Sequence, residues 1–127
     1  MIITDNLRNS FVEDCDEIWA IVRSLRGPHC GLRQVMALAP SLPLFWKFQR
    51  LRDEGQWGEE AFEKIYKPQF LEEMKDPKSQ ARLNELVELD QAGKTIKLVC
   101  FCNHKELCHR SLVGELLAEK GCQVIFR

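Results

Sequence analysis

Apolar residues along the chain fall into two patterns, which are short runs of strand length and longer stretches with helical spacing. The short runs begin with a β-branched segment at residues 1–4 and an apolar segment at 18–23, which an Arg-Gly-Pro break follows. Residues 95–102 and 122–127 have the same character, and the first of these two is apolar enough for burial on both faces. The pattern therefore predicts four strands, at 1–4, 18–23, 95–102 and 122–127.

Helical spacing dominates the chain between the second and third predicted strands. Ser41 is a typical helix cap, and the helix that follows it is expected to run to about Asp53. An apolar stripe from residue 58 to 75 predicts one or two more helices, since Pro68 must kink or divide it. The members of this stripe are Phe62, Ile65, Tyr66, Phe70 and Met74. Asp76 and the proline after it begin a further helix.

The segment before Ser41 is less regular, and it predicts only one helical turn at about residues 32–38. Farther on, Cys108 opens a helix between the last two strands, which completes a βαβ unit with parallel strands and a right-handed crossover. We therefore expect a single α/β domain over residues 1–127, with two or three layers and a small, mostly parallel sheet. Flanking helices cover the sheet, and a helical insertion separates its second and third strands.

Composition limits the class of protein. With 45% hydrophobic residues the chain can bury an ordinary core, and a net charge of −1 provides no general attraction to nucleic acid or to a membrane. No signal peptide or membrane span is predicted, so the expected location is the cytoplasm, where the six cysteines stay reduced or bind metal. Cys15, Cys30 and Cys122 are expected to be small buried hydrophobes.

The candidate binding and catalytic residues lie mainly in the segment from Cys100 to Arg110. In parallel sheets, ligands bind beyond the carboxyl ends of strands, where loops lead into helix N-termini. The loop that begins at Asn103 occupies such a place, and Arg110 in the first helical turn adds a forked cation that favours an anion. The same field would lower the pKa of Cys108, and of Cys102, toward a thiolate.

Three interpretations of this segment stay open. The first is a reactive thiol beside an anion site, as in phosphatases and sulfur-transfer enzymes, although Arg110 lies farther from Cys102 than a phosphatase loop requires. The second is a zinc or iron site with three cysteines and one histidine. Its candidate ligands are Cys100, Cys102, Cys108 and either His104 or His109. The third is a structural role, in which the cysteines pack as hydrophobes and Arg110 pairs with an acidic residue.

Residues 96–100, together with Cys108-His109-Arg110-Ser111-Leu112, resemble the hallmark of the domain of unknown function 488 family of bacteria, archaea and their phages. Short matches upstream, at residues 21–23 and 38–41, agree with this resemblance. It implies a compact α/β fold without an established activity, and it singles out Cys100, Cys108, His109, Arg110 and Arg23. Family members often carry an acidic residue where this chain has Cys102, which weakens the metal interpretation.

The best functional prediction is a pocket that binds an anion or a nucleotide phosphate at the carboxyl edge of the sheet. Arg110 and Arg23 would form a clamp for the anion, with Cys100, Asn103 and Ser41 beside it. Cys108 is the candidate nucleophile and His109 the candidate proton carrier.

Other roles for these side chains stay open. Ser41 is otherwise a plain helix cap, and Trp46, Trp57 and Tyr66 either pack the helices or stack on a base. The contrasting prediction is a small binding module without catalytic activity, which acts on nucleic acid or on a protein. Whether the chain is an enzyme, and which cofactor it uses, are not predicted.

Overall fold

The computed structural model describes residues 1–10, 14–25, 31–102 and 104–127. Five strands form one sheet, in the order β3-β2-β4-β1-β5, and every pair of neighbours is parallel. The strands are β1 (Ile2–Asn6), β2 (Glu17–Ala20), β3 (Leu32–Gln34), β4 (Ile96–Cys100) and β5 (Val124–Phe126). The predicted α/β class and parallel sheet are confirmed.

The four predicted strands are present with shifted ends. The strand predicted at 18–23 ends at Ala20, although the Ile21 N–H still donates a hydrogen bond to the Val99 carbonyl. The prediction missed β3 and expected a helical turn at 32–38. Only Met36–Leu38 forms a short 3-10 turn there, because Leu32–Gln34 pairs with β2 at the edge of the sheet. Three residues are too few for a periodic signal.

The helical segment lies between the strands predicted at 18–23 and 95–102, as expected, and because β3 precedes it in that interval, it follows β3 along the chain. It comprises α1 (Leu42–Asp53), α2 (Glu59–Ala61), α3 (Lys67–Glu73) and α4 (Pro77–Gln91), and α5 (His109–Glu119) follows β4. The predicted caps are confirmed: the Ser41 hydroxyl accepts from the Leu44 N–H, and the Asp76 carboxylate accepts from the Lys78 N–H.

A π-helical turn at Phe62–Tyr66 joins α2 to α3, and Pro68 lies in the first turn of α3. Helical structure continues without interruption from residue 59 to 73, so Pro68 does not divide this segment. Ile65 is exposed, whereas the other members of the stripe are buried. The wider π turn advances by a smaller angle per residue, so it rotates Ile65 away from the core.

The α5 helix packs on the central strands and on β5, and it also contacts α3 and α4. The approach is close at Gly114, where an added Cβ would lie 3.2 Å from Thr4 Cγ2 and 2.6 Å from Phe126 Cε1. This packing fixes the start of α5 beside the carboxyl ends of β1 and β4. Among the described residues, no helix combines the length and the apolar character needed to cross a membrane.

Candidate functional site

The site forms where β4 ends and α5 begins. All five residues of β4 are buried, which fixes Cys100 at the carboxyl end of a central strand. A 3-10 turn at Lys105–Leu107 then returns the chain, and Cys108 is the N-cap residue of α5, in an extended backbone conformation. The predicted strand-loop-helix is therefore present, and its two ends bring Cys100 and Cys108 together.

Three sulfurs and one imidazole converge at this point. One ligand atom from each of Cys100, Cys102, Cys108 and His109 lies within 4.8 Å of the others, and we call these four residues the sulfur cluster. Cys100 Sγ and Cys108 Sγ are 2.9 Å apart, and Cys108 Sγ is 3.7 Å from His109 Nδ1. Cys102 is half-buried, whereas the other three members are buried. The arrangement can hold a thiolate or a metal ion.

The imidazole of His109 is held in one orientation. His109 Nε2 lies 2.7 Å from the Ile21 carbonyl oxygen, which can only accept, so Nε2 is the donor. In the neutral ring this leaves the Nδ1 lone pair directed toward the thiol of Cys108. The carboxyl end of β2 therefore decides which nitrogen of His109 faces the sulfurs.

Arg110 is buried beneath the sulfur cluster, with 3% of its surface exposed. Its Nη1 donates to Cys100 Sγ at 3.3 Å and to the Cys102 carbonyl at 2.7 Å, and its Nη2 donates to the Arg127 carbonyl at 3.1 Å. Within the described ranges, no Asp or Glu side chain pairs with Arg110. The guanidinium therefore lies between the sulfur of Cys100 and the main-chain oxygens of Cys102 and Arg127.

The three thiols share their protons unequally. Hydrogen bonds from Cys102 and Cys108, with help from Arg110, lower the pKa of Cys100 well below its usual range. The hydrogen bond between Cys102 and Cys100 raises the pKa of Cys102. Burial, and after it the hydrogen bond between Cys108 and Cys100, raises the pKa of Cys108. These directions favour the thiolate form at Cys100, so the prediction that the pKa of Cys108 and Cys102 would be lowered is wrong.

A cavity of about 430 Å³ opens above the sulfur cluster. Cys100, Cys102 and His109 contribute to its floor, and its walls are mainly aromatic and aliphatic. The wall and rim residues within the described part of the chain are Val22, Arg23, Ser24, Pro40, Leu42, Phe45, Phe48, Trp57, Tyr66, Phe101 and Leu107. The volume lies in the range of roughly 300 to 1,000 Å³ that small-molecule sites occupy.

The aromatic walls pack against one another edge to face. Trp57 lies 4.6 Å from Phe48 and 5.6 Å from Tyr66 between ring centroids. Tyr66 in turn stacks on Phe70, which contacts the His109 ring. These contacts connect the cavity walls to the sulfur cluster beneath.

Some of the predicted site residues line the cavity, and others lie outside its lining. Arg23 lines the cavity, where its Nη1 donates to the Pro40 carbonyl at 3.3 Å, while both Nη atoms of Arg110 donate to protein groups below the cavity. Ser41 lies outside the cavity lining and bonds Glu73 through its hydroxyl and its N–H. His104 is exposed, so the histidine beside the sulfurs is His109. The prediction for Asn103 falls outside the described residues.

Sequence reasoning missed Asn6 and most of the cavity walls. Asn6 ends β1, and its side chain donates to the Cys102 carbonyl at 2.7 Å, the same oxygen that Arg110 binds. Its signal was its position at the end of a central strand. Trp57 and Tyr66 were weighed as stacking residues and do line the cavity, whereas Trp46 is 60% exposed and lies outside its lining.

Comparison with protein families identifies the family of the chain. The family model described as DUF488-N3a, the active DUF488-N3 subclade, matches residues 8–121. No curated protein and no solved structure matches the chain. The matched range includes all four members of the sulfur cluster, together with Arg23 and Arg110.

Proposed function

The chain belongs to the DUF488 family, and from the geometry of its site we propose that it binds a flat, aromatic, anionic ligand of the nucleotide class. The ligand lies in the cavity above the sulfur cluster. The single observation that carries this proposal is the lining of the cavity, which combines packed aromatic rings with the cationic side chain of Arg23. The rings offer stacking surface for a base, and the cation offers a partner for a phosphate.

The charge of the cavity supports an anion. Arg23 is the cationic side chain among the described lining residues, and no Asp or Glu is among them. Arg23 is half-buried and forms no ion pair with a described carboxylate, and its bond to the Pro40 carbonyl directs the guanidinium along the rim. An arginine that is anchored at one nitrogen keeps the other donors of its fork for a phosphate.

The predicted two-arginine clamp is revised in this proposal. Arg23 binds the anion, while Arg110 holds the end of β4 through the Cys102 carbonyl and stabilises the sulfur of Cys100. Cys100, Cys102 and His109 form the floor under the ligand. The proposal extends to binding only; the candidate roles of Cys108 as a nucleophile and His109 as a proton carrier stay predictions, as does a nucleic-acid or protein partner.

Titration with the four common nucleoside monophosphates, followed by calorimetry and by tryptophan fluorescence, tests the proposal. Binding should quench Trp57, so Trp57→Phe should abolish most of the signal and Trp46→Phe should not. We expect Arg23→Gln to weaken monophosphate binding about tenfold, a loss of about 1.4 kcal/mol. The matched control is Arg50→Gln, which removes an exposed arginine of α1 outside the cavity lining.

The uncharged nucleosides provide a second control. Their affinity should be equal in wild-type protein and in Arg23→Gln, because they lack the group that Arg23 binds. If no monophosphate binds below millimolar concentration, or if Arg23→Gln binds monophosphates as the wild type does, the proposal fails.

A further inference from the structure

The sulfur cluster has the composition of a metal site. Three thiol sulfurs and one imidazole nitrogen lie within 4.8 Å of one another, on a strand end and a helix start that the core holds in place. Zinc prefers four ligands of this kind, and the set of three cysteines and one histidine is one of its common structural sites. We propose that Cys100, Cys102, Cys108 and His109 bind one zinc ion, independently of any ligand in the cavity above.

The orientation of His109 fits a zinc ligand. Its Nε2 donates to the Ile21 carbonyl at 2.7 Å, which leaves Nδ1 as the nitrogen that faces the sulfurs. Histidines that bind metals generally donate their other ring N–H to a carbonyl or a carboxylate, because this contact fixes the ring and raises its basicity. The end of β2 thus supplies the outer contact that a zinc site requires.

Charge also fits. Three thiolates and a neutral imidazole around a divalent ion carry a net charge of −1, and a buried centre of that charge needs a nearby cation. Arg110 supplies it, with Nη1 at 3.3 Å from Cys100 Sγ and no acidic side chain among the described residues as its partner. Hydrogen bonds from such a donor to a ligating sulfur stabilise the loaded site.

The spacing of the sulfurs requires one small adjustment. A tetrahedral ion about 2.3 Å from each sulfur would hold any two of them about 3.8 Å apart. Cys100 Sγ and Cys108 Sγ, at 2.9 Å, must therefore separate by just under one ångström when the ion enters. Cys108 lies at the N-cap, before the regular part of α5, so rotation of its side chain can supply the movement.

Metal analysis of the full chain, purified without chelator, tests the inference. We expect about one equivalent of zinc, and after chelation and addition of Co²⁺ we expect intense visible bands of a tetrahedral thiolate site. Less than about 0.2 equivalents of zinc, together with no such bands on reconstitution, would overturn it.

Matched variants distinguish the loss of a zinc ligand from a general effect of the substitution on the fold. Cys102→Ser alters the half-buried member of the cluster, and Cys15→Ser alters a half-buried cysteine outside it. Loss of one ligand should weaken zinc binding more than the roughly 10- to 100-fold that loss of an outer contact causes, whereas Cys15→Ser should bind as the wild type does. Equal zinc affinity in both variants contradicts the site.

Alkylation provides a readout that needs neither the cavity ligand nor a variant. Zinc should protect Cys100, Cys102 and Cys108 from iodoacetamide, and chelation should expose Cys102 first, because it is the least buried of the three. Mass spectrometry identifies each modified residue. Equal alkylation of the three cysteines with and without zinc would contradict the inference, while nucleotide binding is measured separately.

Discussion

Lys97 and Arg110 are two buried cations with different partners. Lys97 is in the middle of β4 and completely buried, with its Nζ 3.6 Å from Asp5 Oδ2 and bonded to the Asn9 carbonyl. Arg110 is 3% exposed and faces Cys100. A buried cation that is paired with a carboxylate is an ordinary structural unit, whereas one that faces sulfurs stabilises reactive or metal-binding groups.

The largest expected effect concerns Lys97, the cation that pairs with a carboxylate. Lys97→Met leaves the Asp5 carboxylate, which is 5% exposed, without its ammonium partner, so we expect a loss of about 3 to 5 kcal/mol in the free energy of unfolding. Urea denaturation measures it. Adding Asp5→Asn should restore much of the lost stability, because it removes the uncompensated charge. If the double variant is as unstable as Lys97→Met, Lys97 and Asp5 do not stabilise the fold as an ion pair.

Arg110→Lys tests the other cation with a smaller effect. A lysine keeps the charge but cannot reach Cys100 Sγ, the Cys102 carbonyl and the Arg127 carbonyl together, so we expect a loss of about 2 kcal/mol. The thiolate absorbance of the metal-free protein should also appear at a higher pH than in the wild type. An unchanged thiolate titration would show that Arg110 does not stabilise the sulfur.

The pH dependence of stability gives a third test in metal-free protein. Hydrogen bonds from Cys102 and Cys108, and then from Arg110, lower the folded-state pKa of Cys100, so its stabilisation is fully present above the unfolded thiol pKa and is lost as the pH falls. Wild-type stability, measured against Cys100→Ala, should fall by up to about 1.4 kcal/mol for each pH unit below about 8. A difference that is flat from pH 8 to pH 6 would contradict a native thiolate.

The smallest effect belongs to Asn6. Asn6→Ala removes one of the two donors to the Cys102 carbonyl, while Arg110 keeps the other, and it also removes the acceptor of the Arg8 N–H, so we expect a loss of about 1.5 kcal/mol. Thermal denaturation at neutral pH checks this value. No measurable loss would contradict the role of Asn6 at the end of β4.

Much of the fold was predictable because its signals are local. Several signals depend on a few adjacent residues, namely the runs of β4 and β5 and the caps at Ser41 and Asp76. The edge strand β3 was not predictable in this way, because three residues without a periodic pattern become a strand only through their pairing with β2.

The site was predictable in part, for a physical reason. Cys100, Cys108 and His109 are close in sequence, and the strand-to-helix turn brings them together. The cavity above them joins residues from distant segments, such as Arg23 and Trp57, which meet only through tertiary packing. The partners of a buried cation are set in the same way, so the predicted clamp of Arg23 and Arg110 could not be judged from the sequence.

A crystal structure of the protein with AMP tests the central claim most directly, namely that the cavity above the sulfur cluster is a ligand site. We expect the adenine ring to lie in the cavity against the aromatic wall that Phe48 and Trp57 form, with the phosphate within hydrogen-bond distance of Arg23. Density for AMP elsewhere on the molecule, with this cavity filled only by solvent, would contradict the account.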